Sequence, residues 1–117
     1  MPQVDQDLTI YQNADETITI AIKDENDDPM DLKTFDDLCW ILTKAGREVV
    51  RYDINDSELI IANADDTDDG LRVMLYAPVT STLRLGRLYT HQAWGTFGGA
   101  SRPLAVGYVT VKRGDGC

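Results

Sequence analysis

The segment ETITIAIK, residues 16 to 23, constrains the fold more than any other stretch of the chain. Ile18, Ile20 and Ile22 fall on one side of an extended chain and Thr17, Thr19 and Ala21 on the other, the pattern of a strand with one face buried. A period of two excludes an amphipathic helix, whose apolar residues recur every three to four positions. The same alternation returns in DLTIYQ (7 to 12) and in LRVMLY (71 to 76), where Leu71, Val73 and Leu75 face inward, and EVVRYD (48 to 53) and ELIIA (58 to 62) also read as strands. In LCWILTK (38 to 44) both faces are apolar, which places that strand in the middle of a sheet.

The punctuation between these runs is turn chemistry. Asn13-Ala14-Asp15 and Lys44-Ala45-Gly46-Arg47 read as tight connections, and Gly70 closes the acidic run ADDTDDG. LYTHQAW (88 to 94) and RPLAVGYVTVK (102 to 112) read as a last hairpin with GTFGGAS, 95 to 101, as its loop. Leu32 to Asp37 and Pro78 to Leu85 are the two places where a helical turn fits, the second ended by Gly86. Seven or eight short strands at intervals of about ten residues predict a β-sandwich or small barrel. The length of 117 residues predicts one domain over 1–117, with its core within about 7–113.

Charge is unevenly spread. Residues 1–69 hold 19 acids against 5 bases, a net of −14, and residues 70–117 hold 1 acid against 6 bases, a net of +5. The total of −9 argues against nucleic acid, which is bound by clustered Lys and Arg. Two readings of the asymmetry stand. The acidic side of one copy can dock on the basic side of the next, or antiparallel pairing can interleave the two halves and erase it. Cys39 lies in the most apolar strand and Cys117 ends the sequence, so no disulfide framework is expected and a reducing compartment is the simpler setting. The N-terminal segment MPQVDQDL lacks the features of a secretory signal, and no apolar run is long enough to span a bilayer, so no membrane association is expected. Asn55-Asp56-Ser57 matches a glycosylation acceptor, a match without chemistry behind it where no secretory signal is expected.

Residues able to do chemistry are few. His91 is the only histidine, and on an alternating strand it reads as an imidazole packed or hydrogen-bonded in the sheet and not as a general base. Cys39, between Leu38 and Trp40, reads as a buried thiol and not as a nucleophile. The chain holds no zinc spacing and no nucleophile elbow, and the glycines of GTFGGAS lead into a strand where a phosphate loop leads into a helix. No enzyme activity and no cofactor are therefore expected. DENDDP, 24 to 29, opens like a calcium loop with Asp24, Asn26 and Asp28, yet the sixth position is Pro29 and the twelfth Phe35, where glycine and glutamate are needed. It reads as a strand connection. Asp65, Asp66, Asp68 and Asp69 remain weak candidates for a hydrated cation at a loop tip. Phe97 in the glycine-rich loop is a candidate contact.

In order, Asp7-Leu8-Thr9-Ile10-Tyr11-Gln12, the turn from Asp24 to Leu32 with Pro29, Asp31 and Leu32, the segment Thr80 to Gly86, and the closing Gly107-Tyr108-Val109-Thr110-Val111 form a recognisable series. The chain resembles the small immunoglobulin-like domain of tailed-bacteriophage virion proteins, known as the N-terminal domain of upper baseplate proteins and as stand-alone virion proteins. Asn13 stands where that pattern has glycine, and Tyr89 is displaced by one from its aromatic position. The resemblance implies an immunoglobulin-like antiparallel β-sandwich, made in the host cytoplasm and placed in the virion, that joins other virion proteins in many copies or as a homo-oligomer. A tail or baseplate adaptor and a head decoration or cement protein both fit, since no fibre or receptor-binding part is expected to follow. Arg84, Arg87, Phe97 and Arg102 are the expected partner contacts. The competing expectation is a calcium-dependent or carbohydrate-binding β-sandwich module.

Overall fold

The computed structural model describes residues 4–5, 7–23, 31–62 and 70–114. Among them nine strands form two sheets: β1 (Val4–Asp5), β2 (Leu8–Tyr11), β3 (Glu16–Ala21), β4 (Asp37–Lys44), β5 (Arg47–Asp53), β6 (Leu59–Ala62), β7 (Gly70–Leu75), β8 (Gly86–Phe97) and β9 (Ala100–Lys112). The larger sheet runs β1-β9-β8-β4-β5 with β2 also on β9, and the smaller runs β3-β7-β6. All pairings are antiparallel except those of β1 and β2, which run parallel to β9.

The period-two pattern decides what is buried. Ile18, Ile20, Leu71, Val73 and Leu75 of the small sheet meet Leu38, Trp40, Leu42, Tyr89, Val109 and Val111 of the large one, all under a tenth exposed. At about 25 cal/mol per Å² of apolar surface removed from water, such side chains supply most of the drive to fold. Central β4 alternates less cleanly than the rest, because its outer face carries Cys39 and Ile41.

The two halves of the chain interleave as strands. β7 lies between β3 and β6, and the pair β8 and β9 has β1 and β2 on one side and β4 on the other. Strands of the basic half are thus flanked by strands of the acidic half in both sheets.

The connections show three departures from the expected map. The hairpin between β8 and β9 turns at Gly98-Gly99 alone, so Gly95, Thr96 and Ser101, read as loop, lie in the strands. The helix near Pro78 is one turn, α1 (Ala77–Thr80), and Gly86 does not cap it: with φ 112 it opens β8 instead. β1, two residues long, has no periodicity to betray it. The other helical expectation becomes a 3₁₀ turn over Leu32–Thr34, capped by the Asp31 carboxylate, which accepts from the Lys33 N–H at 3.0 Å.

The corner before β8 is immunoglobulin-like. Tyr89, near the start of β8 and 3% exposed, accepts a hydrogen bond on its hydroxyl from the Arg84 N–H at 2.8 Å, the tyrosine corner of such domains. Two positions later, where antibody domains place the cysteine of an inter-sheet disulfide beside a buried tryptophan, this chain has His91 beside Trp40. The sandwich is immunoglobulin-like in strand order and in this corner. Asn13 has φ 61, a region that glycine favours and asparagine tolerates.

Candidate functional site

The long hairpin sets the geometry of the exposed candidates. Gly98 and Gly99 have φ of 60 and 82, the mirror-image backbone that a two-residue hairpin turn requires. The turn is held from outside: the Gly98 N–H donates to Asp36 Oδ2 at 3.1 Å, and the Phe97 ring stands edge-on to Phe35 at 6.1 Å and 79°. Phe97 is nonetheless 60% exposed, the most exposed of the large apolar side chains described.

Beneath it lies an open groove of about 390 Å³. Thr34, Phe35 and Leu104 line one part, and Phe97, Ala100 and Arg102 another, with Gly95 also on the lining. A Cβ on Gly95 would meet Leu104 Cδ1 at 2.8 Å and Leu38 Cδ2 at 3.3 Å, so the absence of a side chain lets Leu38 and Leu104 pack against the strand. Arg102, opposite Gly95 and exposed, is the cation on the lining. Apolar walls, a protruding aromatic ring and an arginine are the residue types on which protein contacts concentrate their energy.

The four expected contact residues do not form one patch. Phe97 and Arg102 share the groove, whereas Arg84 sits in the connection before β8 and Arg87 near the start of that strand. Eleven steps along β8 separate Gly86 from Phe97, about 36 Å at the rise of a strand, most of the 42 Å long axis. Arg84 is exposed, and the side chain of Arg87 lies outside those described.

The acidic candidates, Asp24 to Pro29 and Asp65, Asp66, Asp68 and Asp69, lie outside the described residues. The strand ends that bracket them share a rung of the small sheet, since Gly70 pairs with both Ala21 and Ala62. Among the described residues no three His, Cys, Asp or Glu side chains gather as a metal-binding group.

His91 is fully buried, and its Nδ1 accepts from the Trp40 indole Nε1–H at 3.3 Å. A tryptophan nitrogen only donates, so Nδ1 is the unprotonated nitrogen in this arrangement. Cys39 is 9% exposed on the outer side of β4, and burial pushes its thiol above the ordinary cysteine range despite the Arg51 guanidinium, which pulls it down. A thiol shifted this way carries less thiolate at neutral pH. Sequence reasoning missed Phe35 and Leu104 as walls of the groove, because the contact of Phe35 with Phe97 spans 62 residues and no local pattern encodes it.

No family model matches the chain, and no curated protein matches it. The chain is similar to a solved structure from a site-directed photo-crosslinking study of the multimeric cell-adhesive interactions of VGSC beta subunits, with 5% identity, 96% of this chain and 93% of that chain covered, and a TM-score of 0.46. A likeness of that size carries no argument about function.

Proposed function

We propose that this chain is a bacteriophage virion structural protein, a non-enzymatic assembly module of the tail, baseplate or head surface that works through protein–protein contacts. The observation that carries the reading is the groove end: Phe97 stands 60% exposed on a hairpin turn fixed by Asp36 and Phe35, beside apolar walls and Arg102. A rigid aromatic anchor loses little conformational entropy on docking, which is what an assembly contact needs. Arg84 and Arg87 serve a second contact at the far end of β8, so one copy bridges two neighbours across its long axis. Repetition on a symmetric particle multiplies the strength of each modest contact.

The experiment is incorporation into particles. Phe97→Ala with Arg102→Ala, and separately Arg84→Glu with Arg87→Glu, should each lower the copy number per particle while the isolated variants melt as the parent does. Incorporation unchanged in both pairs would overturn the reading.

A further inference from the structure

A second concavity, of about 500 Å³, opens elsewhere, on the outer face of the large sheet. Its side walls come from two outward rungs of β8 and β9, Thr90 opposite Tyr108 and Gln92 opposite Val106. Between them, His91 pairs with Gly107, and because the His91 ring is turned to Trp40 in the core, that rung gives the floor main chain. Asp7 closes one side where the parallel ladder on β9 is interrupted between β1 and β2, and there its Oδ1 accepts the Tyr108 N–H at 2.9 Å. The volume lies within the range of small-molecule sites.

The chemistry of the walls narrows the ligand. Gln92 Oε1 accepts the Trp94 indole N–H at 2.8 Å, and since that nitrogen can only donate, the amide orientation is fixed and Nε2 is the Gln92 donor for a ligand. The Thr90 hydroxyl is set by its 2.6 Å bond to the Thr43 hydroxyl. Tyr108 is 54% exposed and offers an aromatic ring with a hydroxyl at its end. Among the described residues no Lys or Arg lines the hollow, and the one charged group on the lining is a carboxylate, so phosphate and other anions are disfavoured.

We propose that this hollow is a binding site for a neutral saccharide, with Tyr108 as the ring against which the sugar lies and Gln92, Thr90 and Asp7 as hydrogen-bond partners of its hydroxyls. Fixed amide and hydroxyl groups around an aromatic ring suit a ligand that presents many hydroxyls and no charge. The site is independent of the groove at Phe97, and the two fail or succeed separately.

The test is a titration of the isotopically labelled chain with glucose, galactose and N-acetylglucosamine, each to about 50 mM, a range suited to millimolar affinity. At least one sugar should move the amide signals of Thr90 to Gln92 and Val106 to Tyr108. Tyr108→Ala and Gln92→Ala should each weaken that binding about fivefold or more, and Phe97→Ala should leave it unchanged. The proposal is overturned if no sugar moves those signals, if the shifts survive both substitutions, or if choline moves the same signals as strongly as the best sugar.

Discussion

The indole of Trp40 on β4 and the imidazole of His91 on β8, 51 residues apart in the chain, meet in the core at 3.3 Å as donor and acceptor. They occupy the neighbourhood where antibody domains place a tryptophan against a disulfide. This chain therefore ties two adjacent strands with a hydrogen bond that no reductant can break. Replacing Trp40 by Phe keeps an aromatic ring and removes the donor, and should cost about 1–3 kcal/mol by leaving a buried acceptor short of its partner. Urea denaturation followed by circular dichroism reads the loss, and a double-mutant cycle with His91→Leu isolates the coupling, expected near 1 kcal/mol. Zero coupling would mean that the contact is incidental.

The Tyr89 corner makes a separate demand. Tyr89→Phe leaves the ring in place and strands the Arg84 N–H that the hydroxyl accepts, so about 1–2 kcal/mol of stability should disappear. The denaturant slope should not change, because no surface is newly exposed. A neutral substitution would show that water replaces the hydroxyl at no cost.

Gly95 is expected to resist even a methyl group. Gly95→Ala brings a Cβ to within 2.8 Å of Leu104 Cδ1, and the shift forced on two buried leucines should destabilise the fold by about 1–3 kcal/mol. Pairing it with Leu104→Ala should recover part of the loss relative to the summed single changes; strict additivity would place the strain elsewhere.

Ala45 sits at φ 52 in the turn between β4 and β5, followed by Gly46 at φ 78. Alanine pays a steric cost there that asparagine largely avoids, so Ala45→Asn should raise stability by about 0.5–1 kcal/mol. A lower melting temperature in the variant would contradict the turn geometry.

Alkaline pH should weaken the fold in two stages. Burial raises both the Cys39 thiol and the Tyr52 hydroxyl, the latter aided by the charges of Glu58 and Asp56. Both groups hold their protons more tightly folded than unfolded, so their contribution is complete below the unfolded values, about 8.5 and 10, and is lost as pH rises through the folded ones. The first decline should begin above about pH 8.5 and flatten in Cys39→Ala, while the second should remain in that variant and flatten in Tyr52→Phe. A pH profile indifferent to Cys39→Ala would remove the thiol from the account.

The strands were legible because one buried face per sheet writes itself as alternation, which is why Ile18, Ile20, Leu71 and Val73 lie inward as read. Gly95 misled for a physical reason: a glycine in sequence looks like a turn, and only the facing Leu38 and Leu104 reveal that it is needed in a strand. The site was less legible than the fold. Phe97 announced itself beside its glycines, but its partner Phe35 and the separation of Arg84 from Arg102 along β8 depend on tertiary pairing. The bond to Trp40 was equally hidden in a lone histidine.

The parallel ladders that β1 and β2 form on β9 also set a schedule for biosynthesis. Among the described strands β1 and β2 are made first and their partner β9 last, so that edge of the large sheet stays open until β9 has been made. A nascent chain arrested before β9 would display two unpaired strands and the bare flank of β8 together, and the emergence of β9 is the step at which that edge closes.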